Sequence, residues 1–138
     1  MGMRLLPLTV QELCIHALEL ERDSAARYAL YGQRMRQLGL EDLAALFEEL
    51  CDDTRDAMVD LEELSGGRRL AELSPWQYAW RLTYCPDALR RKPRLVPMSS
   101  REALQLALMA GRRTEEYLAD VVAHAREREV RDEAAKRL

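Results

Sequence analysis

Histidine and cysteine, the side chains that most often ligate metals or act as nucleophiles, are sparse in this 138-residue sequence. The two histidines are His16 and His124, and the three cysteines, Cys14, Cys51 and Cys85, lie far apart. No pair of cysteines has C-x-x-C spacing, which argues against a zinc ribbon or a thioredoxin-like site. We therefore expect the histidines to be structural and the cysteines to be small core residues.

Carboxylates are concentrated in one segment in the first half of the chain. Pairs of them are spaced four residues apart, a spacing that could hold a cation on the surface of a helix. The run lies beside the apolar stripe of its segment rather than on it, so we expect a solvated helix face. Its members are Glu48, Glu49, Asp52, Asp53, Asp56 and Asp60.

The remaining candidate for recognition is a basic patch at Arg90–Arg94, which follows an aromatic segment containing Trp76 and Trp80. Such a patch could bind an anion, a nucleic acid or an acidic partner. The net charge of −3 provides no general attraction to nucleic acid, so nucleic-acid binding is not expected. The tryptophan spacing predicts one buried helix face, and we expect the patch itself to be a solvated loop.

Length and composition predict one domain covering residues 1–138. A hydrophobic content of 48% is sufficient for a core, and 33% charged residues provide a polar surface. There is no apolar run of the length needed to cross a membrane. Residues 1–10 contain one arginine and a short apolar patch interrupted by Pro7, which makes a poor signal peptide, so we expect a cytoplasmic location.

Apolar and small residues recur at steps of three and four, the period of an α-helix, and no segment has the alternation of a strand. Thr9 with Glu12, and Ser99 with Glu102, have the spacing of a capping box. Gly39 and Gly66 are suited to ending the first two helices. The predicted helices are 9–38, 41–64, a short helix 75–84, 99–125 and 129–138.

The arrangement of these elements predicts an all-α, antiparallel four-helix bundle. The one-to-three-residue turn near Gly39 places the first two helices side by side, whereas the segment after Gly67 forms a long crossover. Such a crossover between the second and third long helices is the ferritin-like version of the bundle. The apolar period slips between Ala125 and Val130, which indicates a break before a short fourth helix. One continuous helix to residue 138 is the alternative.

The sequence also resembles the rubrerythrin branch of the ferritin-like superfamily. The first helix has Glu21 followed by Tyr28 in E-R-D-S-A-A-R-Y, a spacing that this family often shows. The stretches F-E-E-L-C-D-D-T-R-D-A-M and R-E-A-L-Q-L-A-L-M-A-G-R-R-T-E-E-Y are similar to the family's second and third helices. The resemblance implies a bundle whose core holds two irons, bound by two glutamates and two Glu-x-x-His pairs.

Only one of the six ligands that the resemblance implies is present. Glu21 matches the first-helix glutamate and is expected to face inward. Thr54 and Ala57 stand where the second helix should carry Glu and His, and Ala110 stands where the third should carry Glu. The small side chains indicate a site converted into ordinary core. A lone Glu21 there should pair with an inward Arg or His from another helix, or take up a proton.

The resemblance and the missing ligands together predict a ferritin-like protein that acts by binding, as an accessory protein. A short fourth helix should leave an apolar groove, so we expect a homodimer, a higher oligomer or a protein partner that fills it. The alternative is a di-iron oxidase, peroxidase or iron-binding protein with unrecognised or inter-subunit ligands. Enzymatic activity is left open, leaning against it, and iron is the only cofactor considered. A third possibility is a chain whose missing tail carries the rest of the fourth helix.

Overall fold

The computed structural model describes residues 6–66 and 96–138, and this part of the chain forms four helices with no strand. The all-α prediction is confirmed for these residues, and the boundaries predicted for the four long or terminal helices lie within two residues of the observed ones. The helix predicted at 75–84, the crossover and the basic patch Arg90–Arg94 lie outside the described residues. The helices are α1 (Val10–Gln37), α2 (Glu41–Leu64), α3 (Ser100–His124) and α4 (Arg128–Lys136).

Both predicted capping residues accept a hydrogen bond from the first turn of their helix. The Thr9 hydroxyl accepts from the Glu12 amide at 3.0 Å, and the Ser99 hydroxyl accepts from the Glu102 amide at 3.2 Å. The Glu12 carboxylate in turn accepts from the Leu8 amide at 2.8 Å. These bonds satisfy amides that an α-helix leaves unpaired at its start, so the position of each start is fixed locally.

Helices α1 and α2 form a closely packed antiparallel hairpin. Gly39, with φ of +78°, follows α1 in the left-handed conformation that favours glycine. Further along the hairpin, a Cβ added at Gly32 would lie 3.2 Å from the Phe47 Cβ. The Cys51 thiol donates to the Ala25 carbonyl at 3.4 Å across the same interface. The glycine in the middle of α1 therefore serves close helix–helix approach.

The helix is interrupted between α3 and α4, as the slip in the apolar period predicted. Ala125, with ψ of 142°, and Glu127, with ψ of 128°, are both extended, so the alternative of one continuous helix is wrong. The Arg131 guanidinium bridges the bend by donating to the carbonyls of Ala125 and Arg126 at 2.7 and 3.0 Å. It thereby satisfies carbonyl groups that lose their helical partners at the end of α3.

Helix α1 packs against each of the other three helices and contributes to two separate core clusters. One cluster surrounds Tyr31 and Phe47 near the α1–α2 turn; the other surrounds Leu13, Tyr117 and Val130 at the opposite end. Cys14 and Cys51 are buried free thiols, one in each cluster, as expected of small core residues. Cys85 is outside the described range. None of the four helices is long and apolar enough to span a membrane.

Candidate binding cavity

A cavity of about 420 Å³ lies in the middle of the bundle, between the two core clusters. Each of the three long helices contributes residues at i, i+3 and i+7, the spacing that places side chains on one helical face. The end of α4 completes the wall with Lys136 and Arg137. The helical triplets are Glu21, Ser24 and Tyr28 from α1, Thr54, Ala57 and Leu61 from α2, and Gly111, Thr114 and Leu118 from α3.

Glu21 is the carboxylate placed deepest in this wall, and it is half-buried. Burial raises the pKa of Glu21, while the charges of Arg137 and Arg113 act from a distance to lower it. Within the described residues no ion pair reaches Glu21. The predicted pairing with an inward Arg or His is therefore wrong for this part of the chain. The raised pKa has the direction of the second expectation, that Glu21 takes up a proton more readily than an exposed glutamate.

Two hydroxyl groups of the wall lack hydrogen-bond partners in the described part of the chain. They are the Oγ of Ser24, which is only 3% exposed, and the buried Oγ1 of Thr114. Thr54 differs, because its hydroxyl donates to the Leu50 carbonyl of its own helix at 2.8 Å. An unpaired buried hydroxyl costs about 1–3 kcal/mol. The cavity is therefore lined by polar groups suited to hydrogen-bonding something inside it.

A buried ion cluster stands beside the cavity. The Asp23 carboxylate, on a residue that is 3% exposed, accepts from Arg27 at 2.7 Å and from Arg113 of α3 at 2.8 Å. Arg27 also donates to the Tyr31 hydroxyl at 3.3 Å. Burial opposes ionisation of Asp23, but the hydrogen bonds and charges of the two arginines outweigh it and lower its pKa. The cluster joins α1 to α3.

The positions that the family resemblance assigned to metal ligands lie at or beside this cavity. Thr54 and Ala57 line it together with Glu21. Ala110 is buried next to it, one residue before Gly111. The expectation of ordinary, filled core differs from the arrangement of residues 6–66 and 96–138, in which the small side chains border space that these residues do not fill.

The donors present here do not fit a pair of irons. Glu21 is the only carboxylate at a position that the resemblance assigns, and the Thr54 hydroxyl is bonded to its own backbone. Asp60 and Glu115 also line the cavity, but both are exposed residues. Across residues 6–66 and 96–138, no three His, Cys, Asp or Glu side chains are grouped so as to hold a metal ion.

His16 and His124 do not line the cavity, and of the six residues of the acidic run on α2 Asp60 alone does so. His16 is buried edge-on against Tyr117, with ring centroids 6.5 Å apart, and burial lowers its pKa to about 4. His124, at the end of α3, is exposed. All six residues of the acidic run on α2 are exposed, as predicted for a solvated face.

Sequence reasoning missed Thr114 and the partnership of Asp23 with Arg113. Thr114 had a usable signal, since it lies three residues after Gly111 and four before Leu118 on the stripe of α3. The contact between Asp23 and Arg27 could also have been predicted, because their i, i+4 spacing places them on one face of a helix. The contact between Asp23 and Arg113 gave no signal in the sequence, because the two residues lie ninety positions apart.

Comparison with known proteins found no family model, no curated protein and no solved structure that matches this chain.

Proposed function

We propose that this protein is a ferritin-like bundle of rubrerythrin type that lacks a complete di-iron site and acts by binding. One observation supports the proposal: Glu21, Thr54 and Ala57, three of the four positions that the resemblance assigns, line the same cavity. Two of these three side chains cannot supply a carboxylate or imidazole to iron. The frame is consistent with a ferritin-like protein, and the donor set is not that of an iron enzyme.

Association of two or more copies is the second part of the proposal. Three large apolar side chains of α3 are exposed: Leu104 by 42%, Leu108 by 59% and Met109 by 66%. Leu104 and Leu108 lie one turn apart, so they share a face. Helix α4 has only nine residues and packs mainly at the far end of α3. Clustered exposed apolar side chains favour burial against another chain. We assign that role to a second copy.

Iron loading tests the first part. Protein purified without chelator is given Fe(II) without oxygen and then exposed to air, with metal content and visible absorption measured. We expect sub-stoichiometric iron and no oxo-bridge absorption band. About two irons per chain or per dimer, with such a band, would instead support a di-iron oxidase, peroxidase or iron-binding protein with ligands from a second subunit. Loss of that iron in Glu21→Ala would then identify Glu21 as one of the ligands.

Sedimentation at micromolar concentration tests the second part. The wild type is expected to be at least a dimer, and Leu108→Lys to be a monomer with unchanged helical content. Val59→Lys is the matched control, because Val59 is 51% exposed on α2 and receives the same charge. A monomeric wild type, or equal dissociation by both substitutions, contradicts the assignment of α3 to the interface.

A further inference from the structure

The central cavity has the dimensions of a small-molecule site. Ligand cavities in proteins commonly occupy about 300–1,000 Å³, and this one measures about 420 Å³. One water molecule accounts for about 30 Å³ of liquid, so the space exceeds what a single bridging water fills. Its wall also contains Ser24, whose buried hydroxyl has no partner within the described residues. Size and unsatisfied polarity are independent observations that both point to an occupant.

The polar atoms of the wall favour one class of occupant. Glu21 provides a carboxylate that makes no ion pair with a described residue, and the hydroxyls of Ser24 and Thr114 each provide a further acceptor. A protonated amine has three N–H donors and no acceptor. These three oxygens, which have no partner among the described residues, therefore match the three donors of an ammonium group in number.

The charges around the cavity agree with a cationic occupant. Its lining contains three acidic side chains, Glu21, Asp60 and Glu115, and two basic ones, Lys136 and Arg137. The lining is thus net negative when Glu21 is ionised. The two basic side chains lie at the end of α4, whereas Ser24 and Glu21 lie within α1.

We propose that this cavity binds a small molecule carrying a primary amine, whose ammonium group is held by Glu21, Ser24 and Thr114. The rest of the molecule packs against the aliphatic side chains of the same wall, which are Ala17, Leu61 and Leu118. This inference stands apart from the proposed function, because it rests on the cavity and not on the family resemblance or the oligomeric state.

Three probes of the same shape and different charge test the inference: benzylamine, benzyl alcohol and benzoate. Each is titrated into the full chain, and amide chemical shifts are followed by ¹⁵N–¹H correlation spectra. We expect benzylamine to shift the amides of cavity residues and to bind about tenfold or more tightly than the other two, because a hydrogen bond to a charged group is the stronger kind.

Variants locate the effect in the cavity. Glu21→Gln keeps the shape of the side chain and is expected to remove the preference for benzylamine, while Glu62→Gln, an exposed glutamate of α2, leaves it unchanged. Ala57→Leu fills part of the cavity and is expected to weaken all three probes. Equal binding of the three probes, a preference for benzoate, shifts elsewhere in the chain, or an amine preference that survives Glu21→Gln would each overturn the inference. So would the absence of any cavity shift.

Discussion

Helix α1 meets its two long neighbours in different ways, and two glycines mark the difference. At Gly32 in α1, an added Cβ would lie 3.2 Å from the Phe47 Cβ and 3.4 Å from the Ala44 carbonyl oxygen of α2. At Gly111 in α3, the nearest atom to an added Cβ would be the Tyr28 hydroxyl of α1, at 3.9 Å. The first glycine permits close contact; the second borders the cavity.

The comparison separates a closely packed contact between α1 and α2 from a loosely packed contact between α1 and α3. Around Tyr31 and Phe47, whose rings meet edge to face at 5.8 Å, apolar side chains of α1 and α2 pack closely together. The α1–α3 interface is joined beside the cavity by the Asp23–Arg113 ion pair and includes the hydroxyls of Ser24 and Thr114, which have no partner among the described residues. Close packing resists any change in side-chain volume, whereas a cavity tolerates added volume. The predictions below measure that contrast.

The largest effect is expected from Asp23→Ala. This change leaves Arg27 and Arg113 without their shared carboxylate in a buried setting, and breaking a buried ion pair costs about 3–5 kcal/mol. Urea denaturation at pH 7 measures the loss in free energy of unfolding. The pKa of Asp23 is lowered in the folded state. Its contribution to the free energy of unfolding is therefore full above the pKa of the unfolded chain, and it is lost as the pH falls from that value through the folded-state pKa.

Asp52→Ala is the matched control for Asp23→Ala, since Asp52 is exposed and its contact with Arg55 is 3.8 Å long. We expect that variant to lie within about 0.5 kcal/mol of the wild type. Similar losses for the two aspartates would mean that the ion cluster does not hold α1 to α3.

Gly32→Ala is expected to destabilise the protein by about 1–3 kcal/mol, the usual cost of overpacking a core. The neighbours of the new methyl group are a side-chain Cβ and a backbone carbonyl, neither of which can rotate away. Chemical denaturation measures the change, with Leu50→Met as a volume-conserving control at the same end of the bundle. A neutral result would show that the α1–α2 hairpin separates easily, and the contrast between the interfaces would fail.

Gly111→Ala is expected to stabilise the protein, in contrast to Gly32→Ala. The new methyl group meets only ordinary contact with Tyr28, and alanine favours a helix over glycine by about 0.5–1 kcal/mol. A rise in the midpoint of thermal unfolding would confirm that α3 has room at this point. A loss comparable to that of Gly32→Ala would indicate that the cavity is narrower in solution.

The subtlest effect is the pH dependence of Glu21→Gln. The folded-state pKa of Glu21 is raised, so the folded protein binds more protons than the unfolded chain between the two pKa values. Stability from this group is present at low pH and is lost as the pH rises. The variant should therefore gain stability relative to wild type as the pH rises above the pKa of glutamate in the unfolded chain. A difference that is constant with pH would contradict the raised pKa.

Local features of the fold could be predicted from the sequence, and features that depend on helix spacing could not. The capping bonds at Thr9 and Ser99 and the break after Ala125 follow from residues close together in sequence. Whether Thr54 and Ala57 face filled core or open space depends on the separation of α2 from α3. That separation is set by side chains on several helices at once, and the apolar period of a single helix does not encode it.

The angle of the bend after α3 determines where the far end of the short last helix lies. Nine residues at 1.5 Å each make α4 about 13 Å long. A turn of about 10° at the bend therefore moves its far end by about 2 Å. That far end contains Lys136 and Arg137 of the cavity wall, and the near end is fastened by the two hydrogen bonds of Arg131. The hydrogen bonds of Arg131 therefore help to fix the direction of α4 and with it the place of these two wall residues, although Arg131 does not line the cavity itself.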